Sequence, residues 1–452
     1  MPRARHLLAL IGASALVAIA ALVLLAPLPP WKSLDPDGPP LVILISIDTL
    51  RADHLGCYGY GKNTSPHVDR FREDAILFRN AIAQASSTLP SHASILSSLI
   101  PWHHGARFST KTALAEEVVT LTEVLKDRGY VTVSMNGGGQ VSAPFGIAQG
   151  FDIYKTERKG DVFSRTVERA LPSLARHGDG RLFLFLHTYE VHGPYTPSRA
   201  CLRKLGPAPE SDLPRRLNNE LRERINRGEV SIEPEDVRAV VHAYDAEIRS
   251  MDEGFGKLIR ILKGVGIYDR SLIVFTSDHG EEFREHGILA QHSHSLYDEL
   301  LRVPLLVKLP RSRHAGTTVE SLAGGIDVAP TILEALGLPI PASFQGRSLL
   351  PDIEGTSPED LVVVSLRDTP PERRVASIRT DRWKLYDGKL FDLESDPLET
   401  RDVSGDHPEL VALLADRLRR ILEARTAPTG GEARLSDQTL QRLVELGYLH
   451  RR

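Results

Sequence analysis

Leu41-Val42-Ile43-Leu44-Ile45-Ser46-Ile47 runs without a charge and ends on Asp48-Thr49. Such a continuous β-branched and leucine run reads as a strand buried on both faces of a parallel sheet. Ligands of open α/β sheets bind beyond the carboxyl ends of the strands, so Asp48 stands where a functional carboxylate belongs. A turn or a helix cap is the plainer use of an aspartate there. Further strands are expected at Tyr130–Met135, Leu182–Leu186, Leu272–Phe275 and Val303–Leu309, with helical patterns near His67–Asp74, Glu116–Asp127, Val162–Leu174 and Asp236–Leu262. The last carries Val237, Val240, Val241, Tyr244, Ile248, Met251, Phe255, Leu258 and Ile259 at helical spacing, which is core packing. This alternation predicts a parallel α/β sheet with helices on both faces.

The second informative strand is Ser271-Leu272-Ile273-Val274-Phe275-Thr276-Ser277, which runs into Asp278-His279-Gly280-Glu281-Glu282. Gly280 lets the backbone turn so that both preceding side chains face one point. An aspartate oxygen with a histidine nitrogen suits Zn²⁺ or Mn²⁺, and an all-oxygen set suits Ca²⁺ or Mg²⁺ better. If the two strands are neighbours, Asp48, Asp278 and His279 converge on one cation. The missing ligand is then Thr88, in Ser86-Ser87-Thr88-Leu89-Pro90-Ser91-His92-Ala93-Ser94-Ile95-Leu96. Pro90 near a first helical turn places Thr88 just before a helix N-terminus, where free N–H groups favour an anion. An ordinary N-cap gives the same local pattern, and only partners elsewhere separate the two. Coordination lowers a hydroxyl pKa and would make Thr88 a nucleophile.

The chain has 452 residues, 41% hydrophobic and 25% charged, with a net charge of -4. That is an ordinary globular composition, and the weak negative charge argues against nucleic acid as a partner. Met1 to His6 holds two arginines and precedes an uncharged run, residues 7–26, long enough to span a bilayer. The positive-inside rule then puts the bulk of the chain in the extracytoplasmic space, membrane-anchored, or secreted if the run is a cleaved signal peptide. Residues 27–40 form a Pro- and Asp-bearing tether. Two cysteines, Cys57 and Cys201, exclude a disulfide framework. Ser198–Glu235 is rich in Arg, Glu and Pro and reads as a solvated excursion near the site. After a catalytic domain over 41–360, residues 361–425 read as a small antiparallel sheet (Val362–Val364, Val375–Ile378, Lys384–Tyr386, Lys389–Phe391) and a helix, Pro408–Glu423. A weakly helical tail covers 426–452.

Asp48 to Gly59, Thr88 to His92, Gly150-Phe151-Asp152, His192-Gly193-Pro194-Tyr195, Ser277 to Glu281, Arg302-Val303-Pro304-Leu305 and Asp392 to Pro397 occur in this order. With them the sequence resembles the sulfatases of the alkaline phosphatase superfamily. The resemblance implies an α/β; alkaline-phosphatase-like sandwich around a mixed, mostly parallel sheet, a C-terminal subdomain, and a divalent metal beside a covalent nucleophile. Sulfatases carry Cys-x-Pro-Ser-Arg, whose Cys becomes formylglycine; Thr88-Leu89-Pro90-Ser91-His92 stands there, and no formylglycine is expected. Asn136-Gly137-Gly138-Gly139 replaces the family's Lys-x-His, and His292-Ser293-His294 stands where a lysine is usual. The site is similar to the threonine-nucleophile branch of the superfamily, which acts on phosphate esters.

On that resemblance His192 is cast as a proton donor or oxyanion partner, and His92 as a support for the nucleophile. His292 and His294 would ligate a second metal or bind a non-bridging oxygen, with Glu190 a weaker ligand. Any of these can instead be a loop histidine without a role. The expected activity is metal-dependent hydrolysis or transfer of phosphate mono- or diesters, the substrate a small-molecule, lipid-headgroup or glycan ester. Sulfate hydrolysis by metal-bound water, and a catalytically silent binding protein, are the alternatives.

Overall fold

A computed structural model describes residues 41–109, 111–156, 162–178, 180–367, 374–425, 428 and 431–449. The expected anchor and tether, residues 7–40, lie outside them. Among the described residues no helix is long and apolar enough to cross a membrane.

The strand Val42–Ile47 lies at the centre of an eight-stranded sheet, fully buried along its length. It pairs in parallel with Leu182–Thr188 on one side and Leu272–Ser277 on the other. Beyond Leu182–Thr188 come Val131–Asn136 and Ile153–Thr156, both parallel. On the other side Arg302–Lys308 runs against its two neighbours, Leu272–Ser277 and Ile76–Ile82, and Thr318–Gly324 closes the edge parallel to Ile76–Ile82. The sheet is therefore mixed and mostly parallel. Ile76–Ile82, Ile153–Thr156 and Thr318–Gly324 escaped the sequence reading. Arg79-Asn80 and Glu320-Ser321 interrupt the apolar runs of two of these strands, near the sheet edge where a strand tolerates polar residues.

Val42, Leu44, Phe183, Phe185, Leu272 and Val274 pack one face against Leu89, Ala93, Leu96, Leu121, Leu125 and Ile332. These come from the helices Thr88–Ser97, Leu121–Asp127 and Val328–Ala335. The opposite face meets the 31-residue helix Pro234–Gly264, whose Phe255 ring lies 5.2 Å from that of Phe275. Each fully buried Leu or Phe contributes about 2 kcal/mol relative to an exposed one, so this double cover holds the strand ends in place. The helix expected from Glu116 starts at Leu121, because Thr120 caps it reciprocally with Glu123.

The predicted C-terminal strands form a four-stranded antiparallel sheet, Val363–Arg367, Val375–Arg379, Trp383–Tyr386 and Lys389–Asp392, backed by the helix Pro408–Glu423. Leu366 N donates to Gln84 O and Ser365 Oγ to Ala83 O, tying this sheet to the residues just before Thr88. Cys57 and Cys201 are both free thiols.

Candidate active site

Ile47 sits opposite both Thr188 and Ser277 in the sheet register. The next residues, Asp48 and Asp278, therefore leave the sheet side by side at its carboxyl rim. Thr49 follows with φ 57, a left-handed conformation that costs a β-branched residue about 1–3 kcal/mol. It is held by its own N–H donating to Asp278 Oδ1 at 3.3 Å and by Tyr244, whose hydroxyl donates to Thr49 O at 2.8 Å. Gly280 has a reason other than the expected turn: a Cβ there would lie 2.0 Å from the Glu299 carbonyl oxygen. Close backbone approach, with Gly280 N donating to Leu300 O, aims Asp278 and His279 inward.

Thr88 is the first residue of its helix, one position inside the expected cap, and Ser87 before it is extended. Leu89 N donates to Gln140 Oε1, so a side chain from another loop satisfies part of the helix start. The Thr88 hydroxyl donates to Asp48 Oδ2 at 3.2 Å and lies 3.3 Å from His279 Nε2. His279 Nδ1 donates to Gly280 O, which fixes the tautomer and leaves Nε2 with a lone pair facing Thr88. Thr88, Asp48, Asp278 and His279 are all buried.

Burial, reinforced by the charge of Asp278, raises the Asp48 pKa well above the ordinary carboxylate value. Burial also pushes Asp278 upward, but His279 and His92 beside it outweigh that and hold its carboxyl low. Asp48 Oδ1 and Asp278 Oδ2 are buried without a hydrogen-bond partner. One ligand atom each from Asp48, Asp278 and His279 fall within 4.8 Å of one another. Two desolvated carboxylates with unspent lone pairs and an imidazole nitrogen are the donor set of a divalent cation. Thr88 Oγ1 is placed to share it.

His292 lies against this group, its ring 4.5 Å from that of His279, and its Nδ1 donates to Glu281 Oε1 at 3.0 Å. His192 is 5.1 Å further, ring to ring. Its Nδ1 donates to Gly193 O, and burial drives its pKa down to about 3, so Nε2 is a bare, buried lone pair. It is not poised as a resting proton donor; a proton must arrive with the substrate's negative charge. His92 lies one layer below: Nδ1 donates to Thr88 O at 2.9 Å and approaches Asp278 Oδ2 at 3.5 Å, while Nε2 meets Ser46 Oγ at 3.0 Å. It supports the helix start and the carboxylate without touching Thr88 Oγ1.

Two expected residues are not brought into this group. His294 turns Nε2 to Glu282 Oε2 at 2.6 Å, and Glu282 also accepts from His286 N and Ile288 N, so this pair braces a loop. Glu190 Oε2 accepts from Phe163 N at the start of the helix Phe163–His177, a capping duty. The excursion Ser198–Glu235 forms short helices at Arg199–Lys204, Leu213–Arg216 and Asn219–Asn226. Asn226 Nδ2 donates to Leu289 O and Arg222 Nη1 to Ala290 O, buttressing the strand that leads into His292.

His187 was missed. It is the last but one residue of the strand Leu182–Thr188, accepts from Gly137 N at Nδ1, and turns Nε2 toward Asp48 Oδ2, 3.7 Å away. Burial, then the nearby His92, keeps it neutral. The signal was available: a polar residue ending an apolar run, the argument that singled out Asp48. Tyr448 was also missed; its hydroxyl lies 2.8 Å from Thr88 Oγ1.

The family model described as Sulfatase matches residues 40–338, and that described as N-sulphoglucosamine sulphohydrolase, C-terminal, matches 284–426. The multifunctional alkaline phosphatase superfamily protein PehA of Trinickia caryophylli is 27% identical over 85% of this chain and 95% of its own length. An N-acetylglucosamine-6-O-sulfatase of Bacteroides thetaiotaomicron is 23% identical over 81% and 83%. Among solved structures, the phosphonate monoester hydrolase of Agrobacterium radiobacter superposes with a TM-score of 0.70 at 21% identity, covering 84% of this chain and 95% of that one.

Proposed function

Because the chain belongs to the sulfatase family of hydrolases, we propose that it cleaves phosphate mono- or diesters, or related esters, through a covalent intermediate on Thr88. The observation that carries this reading is the Thr88 hydroxyl, buried at a helix start, 3.2 Å from Asp48 Oδ2 and 3.3 Å from His279 Nε2. Asp48, Thr88, Asp278 and His279 would hold the divalent cation, with Zn²⁺ or Mn²⁺ favoured by the nitrogen ligand and Ca²⁺ or Mg²⁺ open. Bound there, the cation supplies positive charge that lowers the hydroxyl pKa.

Asp48 Oδ2 takes the hydroxyl proton as Thr88 Oγ1 attacks phosphorus. The bond from phosphorus to the leaving oxygen breaks, and that oxygen departs on the side of the neutral His192 and His292, taking up a proton drawn from solvent. Water, or an acceptor alcohol in a transferase, then attacks phosphorus and gives up its proton to solvent, while Thr88 Oγ1 leaves and takes back the proton held on Asp48. A threonine ester of phosphate can be opened in this way. A threonine ester of sulfate lacks the aldehyde collapse by which formylglycine expels sulfate, which favours phosphorus.

Thr88→Ala in the metal-supplemented protein should lower turnover about 10³-fold or more while leaving the thermal midpoint close to wild type. Equal activity in that variant removes the nucleophile. Aryl sulfate, phosphomonoester, phosphodiester and phosphonate monoester assayed side by side test the substrate; release of sulfate alone supports the sulfatase alternative. We propose further that residues 7–26 anchor the protein with the catalytic unit extracytoplasmic, for which alkaline carbonate extraction of membranes is the test: release into the supernatant counts against it.

A further inference from the structure

Asp48 and His279 account for one side of Thr88, and the opposite end of the chain closes the other. Gly431–Glu432 pairs with Thr112–Ala113, the helix Asp437–Glu445 follows, and Tyr448 then enters the site. Its hydroxyl is 2.8 Å from Thr88 Oγ1, and its ring centroid lies 5.7 Å from that of His192, 6.1 Å from that of His292 and 5.8 Å from that of Phe108. The seat is built into the fold. Leu443 is fully buried in the main core, and Leu446 packs on Val141 and Tyr189. Arg442 donates from Nε to Gly137 O and lies over the Tyr189 ring. Gly139 is shaped to receive Leu446: a Cβ on it would be 2.5 Å from Leu446 Cδ1.

A residue this close to a nucleophile either blocks it or serves it. Lifting the tail away would expose Leu443, Leu446 and the Tyr448 ring, at about 2 kcal/mol each. Thr88 itself is fully buried beneath it. With the tail docked, a cleft of about 670 Å³ remains open beside His192, with Tyr189 and Glu190 on one wall and Arg442 and Leu446 of the tail on the other. The tail is thus a wall of the cleft beside His192.

The chemistry of the three neighbours of Thr88 Oγ1 divides in the same sense. Asp48 and His279 present lone pairs, and the Thr88 proton is directed at Asp48. Tyr448 therefore donates to Oγ1. A phenol, with an ordinary pKa near 10, carries its proton at neutral pH. When a phosphoryl or sulfuryl group is attached through Oγ1, its non-bridging oxygens fall within reach of a donor already 2.8 Å from that atom. We propose that Tyr448 is a catalytic residue of this hydrolase, delivered by the C-terminal tail, whose O–H shifts from Thr88 Oγ1 to a non-bridging oxygen of the transferred group as charge develops there. The proposal rests on the reading of Thr88 as nucleophile.

The test is Tyr448→Phe in the full-length, metal-supplemented protein. It removes one oxygen and keeps the ring, so the thermal midpoint should stay near wild type. On whichever ester the wild type turns over, kcat should fall about 100-fold with KM little changed, because the donor acts on the transition state. An unchanged kcat overturns the proposal, and a gain in activity in Tyr448→Phe or Tyr448→Ala overturns it in favour of a blocking tail. Thr88→Ala separates the two ideas: if it is as active as wild type, the nucleophile reading fails by itself. Tyr448 is then still decided by calorimetric binding of inorganic phosphate to the metal-loaded protein. An affinity about tenfold weaker in Tyr448→Phe supports the oxygen-donor role, and equal affinities overturn it.

Discussion

At the residue scale, two carboxylates at the ends of adjacent strands face one threonine oxygen, and the folded protein bears a charge cost until a cation offsets it. Burial and the charge of Asp278 raise the folded pKa of Asp48 above its unfolded value of about 3.9. From about pH 4 upward the folded state therefore holds more of this proton than the unfolded state does. Stability from this group falls as pH climbs through the folded pKa. Asp48→Asn removes that cost. In EDTA-treated protein its thermal midpoint should exceed wild type by about 2–4 °C at pH 8, and the difference should shrink toward pH 5. A buried neutral histidine such as His192, which has no contact with Asp48 among its partners, titrates in both proteins and cancels in the difference. A difference that does not grow with pH contradicts the assigned cost. The same variant should lose cation binding and turnover. These residues were legible because each follows an apolar strand or opens a helix marked by an early proline. His294 lies outside this group because sequence proximity to Asp278-His279 says nothing about which way a loop side chain turns, and its Nε2 meets Glu282.

At the element scale, the rim of the sheet does the positioning. Parallel pairing of Val42–Ile47 with Leu272–Ser277 in register is what makes Asp48 and Asp278 neighbours. The apolar runs predicted the strands, but adjacency came from the fold, since nothing local in either run names its partner. Strands at and next to the edge escaped for the opposite reason, because solvent-facing positions such as Arg79 and Glu320 break the pattern. Gly280 links this rim to the helix Asp298–Leu301 behind it. The obstruction to a side chain there is the Glu299 backbone carbonyl, which cannot swing aside as a flexible side chain would. Gly280→Ala should cost about 1–3 kcal/mol and displace Asp278 and His279, and a displacement of about 1 Å is enough to lower turnover about 100-fold. Thermal denaturation and cation titration together check this. A variant with wild-type cation affinity and turnover would show that the close approach is not what aims the pair.

At the scale of the whole molecule, the C-terminal half supports the rim from behind and also reaches over it. Tyr448 is 360 residues from Thr88, and no periodicity or spacing connects them, so the tail could be read only as a weak helix. The small antiparallel sheet was legible from its alternating strands. Its connection to the site was not, because it runs through a buried charge cluster. Lys384, fully buried on the strand Trp383–Tyr386, lies 3.0 Å from Asp298 Oδ1 and 2.7 Å from Glu399 Oε1. Arg379 pairs with the same aspartate. Asp298 begins the helix whose Leu300 carbonyl accepts from Gly280 N, so the ammonium of Lys384 is two short steps from the Asp278-His279 turn. Lys384→Ala leaves the buried Glu399 and the partly buried Asp298 with a single cation, a change that costs about 3–5 kcal/mol in comparable cases. Its thermal midpoint should drop accordingly, and Lys384→Ala with Glu399→Gln should recover a large part of the loss, because the uncompensated charge is gone even though the ion pair is not restored. If the double variant is no more stable than the single one, Lys384 contributes through packing of its stem, and the electrostatic link between the small sheet and the catalytic rim is refuted.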